Sequence, residues 1–174
     1  MIKFETSKGD LDKIAREFEA DKKEVEKASK RALKKTANWI KTQVVKELSR
    51  ATGIKQKIIR DRLKVKSLKD LKASVWSGLN RISLMRLDPK QNKKGVRAGK
   101  LFRQSAFLSP IRKGSSKLIV YKRRGKERLP VDKQMVDIYE AGKQILESYI
   151  DTKAWERFLV IFRQEMKFQV LKRG

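Results

Sequence analysis

The chain has no cysteine and no histidine. Without Cys there can be no disulfide framework, thiolate nucleophile or thiolate metal site. Without His the usual general base and metal ligand is missing, so dyads and triads built on either residue are excluded. Acid is scarce in one region. Residues 31–126 hold only Glu47, Asp61, Asp70 and Asp88, on different predicted elements, whereas a metal-dependent nuclease needs clustered carboxylates. No G-x-x-x-x-G-K-[ST] loop is present, and Gly95-Val-Arg-Ala-Gly99 lacks the strand, the helix and the third Gly of a dinucleotide fingerprint. The expectation is a binding or structural protein with no catalytic residue, metal or cofactor. No apolar run approaches the roughly 20 residues of a membrane span, and the start, MIKFETSKGD, has no apolar stretch like a signal peptide. We therefore expect no membrane partner and synthesis in the cytoplasm.

What the chain has in abundance is positive charge, and it is unevenly placed. The net charge is +26 over 174 residues. Residues 1–30 carry eight basic and eight acidic groups, and residues 127–174 carry nine and eight. Residues 31–126 carry 29 basic groups against four acidic ones. Such a field must meet a polyanion or bear its own repulsion. Nucleic acid is the leading partner, ahead of an acidic protein surface and anionic lipid. The densest part is Pro89 to Lys126, with 13 Lys and Arg, four Gly and no Asp or Glu. Its interspersed apolar residues mark it as basic loops and strands attached to a core, not a tail.

Read in order, the chain predicts an α+β fold. It has a long N-terminal helix and a C-terminal helix packed on a small, mainly antiparallel sheet. Ile2 to Thr6 alternates like a strand, and Ser7 to Asp10 supplies turn and capping chemistry. From about Asp10 to Arg50, apolar residues recur at helical spacing with no Gly or Pro. A helix of that length would be a rod of roughly 60 Å, so it either breaks once or lies across a partner subunit. Gly53 is placed for a left-handed cap. A short basic helix from about Lys55 to Leu63 follows, a weak helix-turn-helix likeness because any αα-corner reads the same. Leu71–Trp76 and Arg81–Leu87 alternate around Gly78 and Asn80, which suggests a hairpin. Asp88 to Gly99 reads as a basic loop. Leu101–Leu108 and Lys117–Lys122 are further strands, and Pro130 suits an edge. Helix returns from about Val136. Asp151 or Thr152 is placed to cap a last helix whose stripe is Trp155, Phe158, Leu159, Phe162 and Met166, with Lys172-Arg173 at its C-terminus. The predicted division is a domain over residues 1–131 with basic loops. Residues 132–174 form a helical segment packed on the same domain or on a neighbouring subunit.

Two sets of motifs carry a resemblance. The first is Arg31-Ala-Leu-Lys-Lys-Thr-Ala37 with Thr42-Gln-Val-Val-Lys-Glu-Leu48 and Thr52-Gly-Ile-Lys-Gln-Lys-Ile-Ile-Arg-Asp-Arg-Leu63. The second is Gly95-Val-Arg97, Ser105-Ala-Phe-Leu108 and Val120-Tyr-Lys-Arg-Arg-Gly-Lys-Glu-Arg-Leu-Pro-Val131. In this order, over about residues 25–131, they resemble the lambda-type minor tail protein Z family of tailed phages and prophages, the tail completion proteins. The family usually continues with a Gly-Pro-Ser segment after the Leu-Pro motif, where this chain reads Asp132-Lys-Gln-Met-Val-Asp-Ile-Tyr139. The resemblance implies a virion component at the head-proximal end of the tail, made in the cytoplasm of a bacterial host. It implies a ring, a hexamer matching the tail tube. Its partners would be the tail tube or tail terminator protein, the head–tail connector proteins and phage DNA, which it would hold non-specifically and help to position for ejection. A basic, sequence-blind lining suits that role, because phosphate contacts position without specifying.

The other reading is a non-sequence-specific nucleic-acid-binding protein. Aromatics in the basic stretch are few (Phe102, Phe107, Tyr121), so stacking on single strands has little support in the sequence. The candidate polyanion contacts are Lys122, Arg123, Arg124, Lys126 and Arg128 around a Gly turn. Lys90, Lys93, Lys94, Arg97 and Lys100 follow on the preceding loop. Gly53 and Gly125 are expected to serve backbone geometry.

Overall fold

The computed structural model describes residues 2–4, 8–19, 21–68 and 72–172. The predicted turn at Ser7, the end of the first strand beyond Phe4, the start of the Leu71 strand and Arg173 lie outside these residues. The architecture is α+β, and every strand pairing among the described residues is antiparallel. The chain forms two compact units. The first comprises residues 1–45, 60–78 and 144–174; the second comprises residues 46–59 and 79–143.

The long N-terminal pattern breaks once. Helix α1 spans Lys8–Glu17 and α2 spans Lys22–Thr52. Glu19 takes a left-handed φ of 48°. A capping box then restarts the helix: Asp21 N–H donates to Glu24 Oε2 at 3.1 Å and Glu24 N–H donates to Asp21 Oδ1 at 2.8 Å. The 31 residues of α2 make a rod of about 46 Å.

In the first unit, strands β1 (Ile2–Phe4), β2 (Leu63–Leu68) and β3 (Lys72–Ser77) form a sheet in the order β1-β3-β2. Fully buried Ala28, Ser29, Ala32 and Thr36 lie on one face of α2 at three- and four-residue spacing. Leu33, Thr36, Ala37 and Ile40 share the wall of a cavity of about 10 Å³ with Ala73 and Val75 of β3 and with Ile150. The final helix α5 (Ala154–Leu171) buries Phe158, Ile161, Phe162, Glu165, Met166 and Gln169. Phe158 stacks between Trp155 and Phe162 at centroid distances of 5.3 and 5.7 Å. Glu165 is 5 % exposed and pairs with Lys35 and, at 3.8 Å, with Arg31.

In the second unit, Gly53 closes α2 with φ 69°, its N–H on the Ser49 carbonyl at 3.0 Å. Helix α3 is only Gln56–Arg60, too short to read a major groove. Strand β4 (Ile82–Ser83) precedes a 3₁₀ turn at Leu84–Leu87. Strands β5 (Pro89–Asn92), β6 (Gly95–Ala98) and β7 (Leu101–Gln104) form one sheet. Strands β8 (Ala106–Pro110), β9 (Leu118–Arg123) and β10 (Val131–Lys133) form another, with β10 at the edge. Strand β11 (Met135–Val136) pairs with β4. Buried Leu84 and Leu87 pack with Val96, Ala98, Ala106 and Val120 as the small core of these sheets.

Several expectations are corrected. The Leu71–Trp76 segment does not make a hairpin with Arg81–Leu87. Strand β3 pairs instead with β1 and with β2, whose sequence Leu-Lys-Val-Lys-Ser-Leu had been missed. The reason is that residues 84–87 form a 3₁₀ turn that buries both leucines, which no alternating strand can do. The basic loop at Asp88 to Gly99 is a hairpin. Asn92 Oδ1 accepts from Lys94 N–H at 2.9 Å and Gly95 N–H at 3.0 Å, an Asx turn that fixes it. Leu101–Leu108 is two strands, divided where Ser105 adopts φ 59°. The C-terminal helical region begins at α4 (Tyr139–Ser148), after β11. Asp137 caps it, accepting Tyr139 N–H at 2.9 Å. Neither Asp151 nor Thr152 caps α5. A π-helical turn at Tyr149–Lys153 carries the chain straight into it, and the Thr152 hydroxyl donates back to the Ser148 carbonyl at 2.5 Å.

Candidate functional site

All ten predicted polyanion contacts fall in the second unit, and all ten are exposed. That unit holds 22 Lys and Arg against six Asp and Glu. Among the six, the three aspartates are engaged in ion pairs. Asp88 meets Lys55 at 2.5 Å, Asp137 meets Arg81 at 3.1 Å and Asp132 meets Arg124 at 2.8 Å. In each case the carboxyl is held below the usual aspartate range. For Asp88 and Asp132 the main cause is the hydrogen bond from the Lys55 or Arg124 side chain. For Asp137 it is first the Tyr139 N–H and then Arg81. These acids are therefore ionised and structural, which leaves the basic excess to face outward.

The first predicted group is divided between a strand end and a connection. Lys122 and Arg123 end β9, while Arg124, Lys126 and Arg128 sit in the connection to β10. Arg124 spends its guanidinium on Asp132. Arg123 lies over the Phe107 ring at 5.7 Å. All five are exposed, Arg123 and Arg124 included.

The second group is sorted by the β5–β6–β7 hairpins. Lys93 and Lys94 occupy the Asx turn between β5 and β6. Lys100 lies at the other end of β6, where its Cβ packs against Gly53, 3.3 Å from the position a Cβ would take there. Between these ends, Lys90 stands directly opposite Arg97, and Arg97 directly opposite Phe102. Val96 and Ala98 alternate to the buried side, so Lys90, Arg97 and Phe102 form one row on the outer face. Sequence reasoning missed Phe102 in this row, and Lys133 beside Tyr121 and Phe107 in the neighbouring sheet. Only correct pairing of strands could have found either. Among the described residues, no group of three or more Asp and Glu could hold a metal ion. Among them too, no helix is long and apolar enough to cross a membrane.

The family model described as prophage minor tail protein Z (GPZ) matches residues 8–106, more than half of the chain. The chain belongs to the prophage minor tail protein Z family. No curated protein and no solved structure matches it. As a minor tail Z protein it has a structural role in a phage tail, resides in the virion tail and works among other tail or head components. The match runs from α1 to the first residue of β8. It therefore includes the Lys90–Arg97–Phe102 row, while the basic β9–β10 connection lies beyond it.

Proposed function

We propose that this tail protein completes the head-proximal end of the tail at the head–tail junction. Its subunits form a ring, a hexamer matched to the tail tube. It meets the tube or tail terminator protein on one side and head–tail connector proteins on the other, and helps position DNA for ejection without catalysis. Residues 132–174 pack on the same domain or on the next subunit. The observation that carries this reading is the exposed basic surface of the second unit in a member of a tail protein family. A ring around DNA needs positive charge without sequence preference, and phosphate contacts of exposed Lys and Arg supply it. The same surface supports a second reading, non-specific nucleic-acid binding apart from any tail.

Two measurements separate them. Particles made without this protein should contain full-length tails that fail to join filled heads, or joined particles that fail to eject DNA. Normal, infectious particles would overturn the junction role. Native mass spectrometry of the purified protein with tail tubes should show a ring. A strict monomer that never associates with tubes would leave only the second reading.

A further inference from the structure

The outer face of the β5–β6–β7 sheet is an unusual surface for a sheet with no polyanion on it. Lys90 and Arg97 are directly opposed across β5 and β6. Like charges in that position destabilise a sheet. Both are exposed, and no ion pair among the described residues includes either. Lys93 and Lys94 add charge at the turn at one end of the face. The third member of the row is Phe102, opposite Arg97 and 40 % exposed.

A single exposed Phe is ordinary on a protein surface. This one is informative because of its neighbours. Adjacent strands lie about 4.8 Å apart, so the row from Lys90 to Phe102 spans roughly 10 Å. Two cations and an aromatic ring therefore share one small outward patch. An anion seated between Lys90 and Arg97 relieves their repulsion. A ring beside it, with no carboxylate in the row, offers a π-face to a flat, electron-poor partner. Phosphate and base, the two halves of one nucleotide, match these two halves of the patch. In a duplex the base faces are stacked away, and a ring on an open sheet cannot reach them. In an unpaired strand they are free.

We propose that this face is a stacking platform for single-stranded DNA, with Phe102 stacking on a base and Lys90 and Arg97 holding the adjoining phosphates. The inference rests on the DNA contact proposed above and names the form of DNA and the residues that meet it. Gly95 keeps the platform in shape. Its φ is 151°, and a Cβ there would lie 2.2 Å from the Arg103 carbonyl oxygen. A side chain at this position would therefore disturb the β6–β7 pairing that sets Arg97 opposite Phe102.

The test uses the full chain, a 20-nucleotide oligothymidylate and a duplex of equal length, with fluorescence anisotropy read at several salt concentrations. The expected result is tighter binding to the single strand. Phe102→Ala should weaken single-strand binding about 10-fold, the size of one lost base–aromatic stack, and leave duplex binding unchanged. Phe102→Tyr should restore it. Lys90→Ala and Arg97→Ala should each weaken binding and lower the salt slope on the single strand by about 0.7. Circular dichroism of each variant confirms that the sheet is intact. Equal loss on duplex and single strand for Phe102→Ala would mean a wedge into duplex DNA and overturn the proposal. So would unchanged affinity. If neither DNA binds but Lys90→Ala with Arg97→Ala blocks tail joining, the face meets an acidic protein, and the inference fails while the junction role stands. If the platform binds single strands but particles lacking the protein are normal, the junction role fails and the inference stands.

Discussion

Arg124 holds Asp132 through two nitrogens: Nε lies 2.8 Å from Oδ2 and Nη2 lies 2.9 Å from Oδ1. This fork joins the start of the basic connection after β9 to its return on β10, across eight residues. It also engages the Nε and Nη2 edge of a residue that lies within the most basic run of the sequence, Lys122 to Lys126.

The hydrogen bond from Arg124 keeps the Asp132 carboxyl below its ordinary value of 3.8. A carboxyl lowered on folding adds stability above its unfolded value, and that contribution disappears as pH falls through the folded one. An NMR pH titration should therefore show Asp132 ionised below the usual aspartate range, with protonation completed only in stronger acid. Arg124→Gln should return it to that range. An unchanged midpoint in the variant would show that the fork does not persist in solution.

Gly95→Ala should be the most damaging small substitution in the second unit. The added Cβ would meet the Arg103 carbonyl oxygen at 2.2 Å and the Ser105 nitrogen at 3.0 Å. Both are backbone atoms that no rotamer change can move. Overpacking and φ strain together should cost about 3 kcal/mol, read as a lower urea midpoint. A loss under about 0.5 kcal/mol would mean that the β6–β7 pairing is looser than described.

The capping box restarts the N-terminal helix, so its loss should be felt locally. Asp21→Ala should cost about 1 kcal/mol and raise amide exchange in the first turn of α2. Exchange unchanged in that turn would show that tertiary contacts alone hold the helix start.

Glu165 tests a buried charge. It lies beneath Lys35 and Arg31, which are 63 % and 48 % exposed at the side chain. Solvent screens pairs to such exposed partners, so Glu165→Gln should cost about 1–2 kcal/mol, less than a fully buried pair. In a double-mutant cycle, Lys35→Ala should lose most of its effect once Glu165 is Gln. Full additivity would mean that the two side chains do not interact.

Much of the helical half was legible in the sequence. The apolar spacing of Ala28, Ala32, Ile40, Val44 and Leu48 announces the buried stripe of α2, and Phe158, Phe162 and Met166 announce that of α5, because helical periodicity is a local property of the chain. The break between α1 and α2 was open between two outcomes. Its signal, Asp21 with Glu24, was present but short. The strands were read less well. Residues 84–87 alternate enough to suggest a strand, yet they turn. The short basic helix is expected to run to about Leu63, with no element over 64–68, yet residues 63–68 form a strand paired with β3. For the candidate site, charge alone picks out the residues proposed, but their grouping depends on strand pairing. Lys100 was placed beside Lys93 and Lys94 by proximity in the chain, and the hairpin sets it at the opposite end of β6.

The amino-acid sequence by itself determined which chemistry the chain holds, where its positive charge lies and which family it belongs to, because composition and motif order do not depend on pairing. Only the tertiary structure decided that Lys90 faces Arg97 and Phe102, that Arg124 is spent on Asp132 and that Gly95 must stay bare. Each of these follows from strand register. Register is set by turn geometry and by which face buries its apolar residues, a choice among distant partners that no local window of sequence contains.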